Sequence, residues 1–432
     1  MKRWKTDGLI CRRAVAAALA FLIPAIAAGW PDIGSAESQS PVTANFSREK
    51  LERVGDYIRQ EIATGKIPGA ILLIQQHGKP VYFEKFGVRD VESRRPMTAD
   101  TIFRLYSMSK PVTSVAVMML VEDGKLSLGD PVSKYIPAFA DVKVGVEKRD
   151  DKSGLALEPV NRPITIEDLM RQTSGLTYGF YGDSAVRKLY AQADLFNGDV
   201  SNAEFVQRIV KIPLAEQPGT LWDYGHSTDV LGRVIEVVSG HSLFQFEKQR
   251  LLDPLGMTDT AFYVADAAKY PLIAEPMPDD RSIGPVAGIR DPRAPRRWES
   301  GGADMVGTIA DYARFAQMLL NGGTSDGRRY LKPETIALMT SDHIGPETKI
   351  ARDQFYFPGA TSGFGLGFAV RTSTPPNTSW PLGEYRWDGV AGTFFFIDPK
   401  DDMFAICMVQ TPSQRGRVQL ALKTLIYQAL GK

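Results

Sequence analysis

The chain has 432 residues, 44% of them hydrophobic, so a large core and roughly two to three domains are within reach. Its 51 basic and 50 acidic residues nearly cancel, which offers no basic face for nucleic acid and points to no strongly charged partner. Two cysteines and four scattered histidines give neither a disulfide framework nor metal-ligand spacing, so no metal and no other cofactor is expected.

The amino terminus reads as a secretory signal over residues 1–36. Lys2, Arg3, Lys5, Arg12 and Arg13 precede the apolar run Ala14–Ala28, which contains Pro24 and falls short of the ~20 residues that span a bilayer. Cleavage after Ala27 or Ala36 fits the small residues there. Processing through Ala36 leaves 46 basic and 48 acidic residues on a periplasmic or secreted protein with no stable membrane insertion. Arg12-Arg13 keeps twin-arginine export open beside the general route. Cys11 would leave with the signal, and Cys407 stays in the apolar run Met403–Val409, which reads as a buried strand.

Ser47 is a good N-cap for an amphipathic helix to about Ala63, with Leu51, Val54, Ile58 and Ile62 on its buried stripe. Ala70–Ile74 and Val81–Phe86 flank His77-Gly78-Lys79-Pro80 and predict a hairpin within Ile67–Gly87. The strand-like run Thr101–Tyr106 then meets a helix-compatible run, Val112–Asp123, with Pro111 in its first turn and Gly124 as its stop. The stretch 112–265 is expected to be mainly helical, with capping boxes at Thr165–Asp168 and Ser201–Glu204. Segments 141–162 and 266–297, rich in Pro, Asp, Arg and Gly, read as long excursions. Thr308–Asn321 predicts another helix, ended by Gly322-Gly323. Strands follow at Phe364–Val370, Trp387–Ile397 and Met403–Gln410, and a helix at Val418–Leu430 closes the chain. This order predicts an α/β fold of the α+β type. One antiparallel sheet domain, flanked by helices, is built from 45–115 and 298–432, and a mainly helical domain, 116–297, is inserted.

The chemistry starts at Ser107-Met108-Ser109-Lys110, where strand gives way to helix. Three residues apart on a helix, Ser107 and Lys110 share a face. A serine hydroxyl is a poor nucleophile until a neighbour takes its proton, and an amine one turn away, at a helix N-terminus that disfavours its charge, can take it. Spacing alone is unspecific: Ser47-Arg48-Glu49-Lys50 repeats it where a cap and a solvated lysine suffice. Context separates the two copies and gives a serine hydrolase with lysine, not histidine, beside the nucleophile.

Two further segments carry the same theme, Trp222-Asp223-Tyr224-Gly225-His226-Ser227 and Trp387-Asp388-Gly389-Val390-Ala391-Gly392-Thr393. Leu169–Leu176, ending Thr173-Ser174-Gly175-Leu176, and Ser300-Gly301-Gly302 lie between them. With Phe103–Lys110 they match, in order and spacing, the penicillin-recognising serine hydrolases. From about residue 46 to 430 the chain resembles class C β-lactamase-like proteins and the family VIII carboxylesterases. The resemblance implies a β-lactamase/transpeptidase-like fold and an acyl-enzyme on Ser107. It implies that Lys110 and Tyr224 share general-base duty, with Tyr224 returning a proton to the leaving oxygen, and leaves open which is the resting base. The backbone N–H groups of Ser107 and Val390 would form the oxyanion hole. Trp387 would line the acyl pocket, although an aromatic in a terminal strand also serves as plain core.

Two departures bear on substrate. The family's Tyr-x-Asn ends here in His226, which either bonds into the catalytic network or fills the asparagine's space. Its Lys-Thr-Gly is Trp387-Asp388-Gly389, and losing that lysine weakens recognition of a substrate carboxylate. Asp388 stands where glycine is common in the esterase branch. Together these favour neutral carboxylic esters, with a small-molecule ester or amide as the partner. A β-lactamase, D-amino-acid peptidase or amidase of the same fold is the alternative, and a non-catalytic envelope binding protein is the alternative from another class. Gly323-Thr324-Ser325-Asp326-Gly327 spells a nucleophile elbow but follows a helix within a polar turn, so it reads as a surface loop. Gly363-Phe364-Gly365-Leu366-Gly367 is no dinucleotide loop, because a strand follows it.

Overall fold

Strand Gly69–Gln76 is buried along its whole length, and the reason organises the molecule: both faces of its sheet are covered. The computed structural model describes residues 45–148, 151–280, 282, 291–345, 348–350 and 359–431, so the signal reading over 1–36 lies outside the described residues. In the eight-stranded sheet the order is Ser362–Phe364, Ala369–Arg371, Tyr385–Asp388, Phe394–Asp398, Met403–Val409, Gly69–Gln76, Lys79–Asp90 and Arg95–Pro96. Every pairing in it is antiparallel. Sequence-distant ends therefore meet at the centre, where Leu72 lies opposite Cys407.

Alternation then sorts the side chains. Ala70, Leu72, Ile74, Phe394, Phe396, Ala405 and Cys407 form one cluster with Leu51, Val54 and Ile58 of helix Arg48–Ala63 and Val418, Leu422 and Ile426 of helix Arg415–Ala429. From the opposite face Phe395 meets helix Ile309–Leu320, its ring 5.1 Å from Tyr312. Cys407 is fully buried in this layer, and burial pushes its thiol up to about 12, so it packs as a small apolar side chain.

Ser47 caps the first helix by accepting from the Lys50 N–H, and Lys50 is exposed, as its context implies. The capping boxes at Thr165–Asp168 and Ser201–Glu204 both form. Four boundaries differ from expectation. Segment 141–162 contains a two-stranded ribbon, Lys143–Lys148 with Asp151–Pro159, whose polar composition suits its exposed edges. Trp387–Ile397 is two strands, because Gly389–Thr393 turns the chain back. Phe364–Val370 also breaks in two, with Gly367 at φ +100° in the turn. Of the run Thr101–Tyr106 only Phe103–Arg104 is strand, paired with Val306–Gly307. The elbow-like Gly323–Gly327 is the tip of a two-residue hairpin, with Asp326 and Gly327 at positive φ.

Candidate active site

The strand-to-helix change at Ser107 is a strained turn. Tyr106 adopts φ +48°, which for a bulky residue costs on the order of 1–3 kcal/mol and persists only where neighbours enforce it. Ser109 enforces it: its hydroxyl donates to the Tyr106 carbonyl at 2.7 Å and accepts from the Met305 N–H at 3.1 Å. The result is selective exposure. From Thr101 to Leu120 every residue is buried except Ser107, which is partly open to solvent.

Lys110 lies in the first turn of helix Ser109–Glu122 and is 2% exposed. Its Nζ donates to the Gly302 carbonyl at 2.7 Å and the Tyr178 hydroxyl at 3.2 Å, and lies 3.4 Å from Ser107 Oγ. The first two contacts absorb two hydrogens of a neutral amine and leave its third position turned to Ser107. Burial lowers the amine to about 8, against the opposing pull of the Asp229 and Asp388 carboxylates. Space at Gly302 is tight, since a Cβ would stand 3.1 Å from Asp229 Oδ1 and 3.2 Å from Lys110 Nζ.

Tyr224 arrives from a separate loop. Gln172 shapes it: at φ +60°, its carbonyl accepts from the Asp223 N–H and its side chain reaches Gly225 N at 3.3 Å and Thr228 Oγ1 at 3.1 Å. Arg187 Nη2 holds Asp223 at 2.7 Å, an ion pair in which both side chains are buried. Gly225 passes so close to Leu176 that a Cβ would lie 2.5 Å from its carbonyl oxygen. The Lys110 Nζ sits 4.6 Å from the Tyr224 ring centroid. Burial raises the Tyr224 hydroxyl well above its usual range, and side-chain contacts from Ser107 and Trp387 offset only part of that rise.

The third segment supplies one wall and one turn. Trp387 and Asp388 leave opposite faces of their strand. Trp387 packs 5.3 Å from Tyr224 and 5.2 Å from Phe364, so it is both core and a neighbour of Tyr224. Asp388 turns instead to Gln419 and Arg415 of the C-terminal helix, and burial lifts its carboxyl to about 6. Gly389 brings the strand against the Ser107 turn: a Cβ would stand 2.4 Å from the Leu105 carbonyl oxygen. Val390 follows in the turn closed by Gly389 N–H to Thr393 O at 2.7 Å and Gly392 N–H to Gly389 O at 2.9 Å.

His226 joins the buried polar groups around Lys110 through Asp229. Its Nδ1 lies 2.8 Å from Asp229 Oδ2, and its ring packs edge-on against Tyr178 with centroids 4.6 Å apart. Asp229 also accepts from the Ser300 hydroxyl at 2.5 Å and the Gly302 N–H at 3.3 Å. Burial alone would raise that carboxyl, but His226, Lys110 and Ser300 hold it below the usual carboxylate range. Tyr178 and Asp229 are thus neighbours of Lys110 that sequence reasoning passed over. Tyr178 stands two positions beyond Thr173-Ser174-Gly175-Leu176, which was the available signal. Among the described residues, no group of three His, Cys, Asp or Glu side chains could hold a metal ion.

Comparison with known proteins matches residues 54–428 to the Beta-lactamase family. Protein Rv1367c of Mycobacterium tuberculosis is 36% identical over 366 residues, covering 82% of this chain and 88% of its own. The lovastatin esterase of Penicillium rubens is 30% identical over 371 residues, covering 81% of this chain and 90% of its own. The solved structure of EstCE1, described as a hydrolase with promiscuous acyltransferase activity, has a TM-score of 0.71 at 27% identity. It covers 88% of this chain and 98% of its own.

Proposed function

This chain belongs to the β-lactamase family, and from that premise we propose that it cleaves neutral carboxylic esters of small molecules through an acyl-Ser107 intermediate. The observation that carries the reading is a single solvent-open serine beside a buried amine, 3.4 Å away and lowered to about 8. In its neutral form Lys110 takes the Ser107 proton as Oγ attacks the ester carbonyl. The N–H groups of Ser107 and Val390 receive the developing oxyanion. Tyr224 passes a proton to the departing alkoxide and is reprotonated from Lys110. Water then enters by the reverse path, with the same groups drawing its proton, and releases the acid. Trp387 puts an aromatic wall where the family carries a lysine that attracts a substrate carboxylate, which supports esters over β-lactams.

Acyl transfer is the second reading, favoured by the description of EstCE1: an alcohol replaces water in the last step and nothing else changes. An activated fluorophosphonate tests the assignment directly. One adduct is expected, and peptide mapping should locate it on Ser107. Ester turnover by protein that forms no such adduct would defeat the reading. Nitrocefin turnover exceeding that of p-nitrophenyl butyrate would move the β-lactamase alternative ahead.

A further inference from the structure

Thr113 lies three residues after Lys110 on the same helix, and its Oγ1 contacts two groups: the Gly301 carbonyl oxygen at 2.9 Å and Glu247 Oε1 at 3.1 Å. A hydroxyl has one proton to give, and a carbonyl oxygen only accepts. Gly301 is the closer of the two acceptors, and a Thr113 proton given to it leaves the contact with Glu247 to be made by a proton from the carboxyl. We propose that Glu247 is a neutral carboxylic acid donating to Thr113, and that this relay positions the Gly301-Gly302 segment against Lys110.

The surroundings agree. Thr113 and Glu247 are both completely buried, and Glu247 Oε2 has no hydrogen-bond partner. No cation faces the carboxyl among the described residues of the packed elements. Lys248 bonds Asp253, Arg250 bonds Asp123, and Glu236 is taken by Asn202 and Arg233. The charge that does act on it is the Glu299 carboxylate, which caps Phe244 N and Ser242 Oγ. Burial pushes the Glu247 carboxyl well above the usual range; the Thr113 contact opposes that rise and the Glu299 carboxylate adds to it. Glu247 also sits where helix Leu243–Glu247 passes into a π-helical turn, Lys248–Leu252. The clamped segment has little room: a Cβ on Gly301 would lie 2.7 Å from the Thr228 carbonyl and 3.1 Å from Thr113 Cγ2. The next carbonyl, Gly302, is the 2.7 Å acceptor of Lys110 Nζ. Glu247 is a positioning residue, and its kinetic consequence rests on the esterase reading.

Glu247→Gln removes the titration and keeps a donor. Above the ordinary carboxyl range the native state holds a proton that the unfolded chain releases, so wild-type stability falls as pH rises. The unfolding constant of wild type relative to Glu247→Gln should climb, by up to about tenfold per pH unit, as pH rises above the ordinary carboxyl range. A ratio flat with pH, or a Gln variant that fails to fold where wild type folds, overturns the proposal. This arm needs no turnover, so its failure is distinct from failure of the esterase reading. In the kinetic arm, Glu247→Met should lower kcat about tenfold with KM unchanged, a loss of about one neutral hydrogen bond's worth of positioning. The acid limb of its pH profile should move to lower pH as the ammonium loses a fixed acceptor, and Gln should recover most of kcat. A Met variant with unchanged kcat and profile overturns the positioning role.

Discussion

Gly389→Ala puts a methyl group where the third segment crosses the nucleophile turn. The added Cβ would stand 2.4 Å from the Leu105 carbonyl oxygen and 2.4 Å from Thr393 Oγ1, while ordinary contact begins at 3.4 Å. The strand and the turn must separate by about 1 Å. The Leu105 obstacle does not yield cheaply, because its carbonyl belongs to backbone pinned by its own N–H bond to Met305 O at 2.8 Å. A misplacement of that size between reacting groups costs roughly a hundredfold in rate, about 2.7 kcal/mol of transition-state stabilisation. Overpacking should add about 1–3 kcal/mol of destabilisation. The assay is kcat/KM for p-nitrophenyl butyrate with a parallel thermal melt. Gly416→Ala serves as control, since its Cβ meets nothing within 4 Å and the site lies in a helix, where alanine should stabilise by about 0.5–1 kcal/mol. Wild-type kcat/KM and melting temperature in Gly389→Ala would refute the claim that this close approach sets the site's geometry.

Activity should rise with pH through about 8, where Lys110 loses its proton. Asp388→Asn removes one of the two carboxylates that favour the ammonium, so the acid limb should move to lower pH; a move to higher pH contradicts the assignment. Tyr178→Phe keeps the ring against His226 and deletes a partner of Lys110, so kcat should fall about tenfold, the worth of one neutral hydrogen bond, with stability little changed. Arg187→Met strands the buried Asp223 carboxylate beside Tyr224, and urea unfolding should register a loss of about 3–5 kcal/mol.

Much of this site is legible in the residues because its chemistry is local. A three-residue spacing at a helix start suffices to bring an amine to Ser107. The glycines that let backbones cross are visible as letters, although only the structure says what each one meets. Strand boundaries were less legible. Trp387–Ile397 reads as one strand because apolar residues continue through Val390-Ala391, and the turn there is made by a close approach to Leu105, a contact distant in sequence. The ribbon at Lys143–Pro159 carries loop-like polar composition because its edges are exposed. Tyr178, Asp229 and Glu247 escaped notice for a different reason: their roles depend on burial and on partners dozens of residues away. His226, which stood out as a departure, packs against aromatic rings and bonds Asp229.

The central claim is that Ser107 is the nucleophile. It is tested most directly by ester turnover in wild type and Ser107→Ala, with circular dichroism to verify that both are folded. The account predicts a loss of at least about a thousandfold in kcat for p-nitrophenyl butyrate and an unchanged spectrum. Turnover retained at the wild-type rate by a folded Ser107→Ala protein would contradict it.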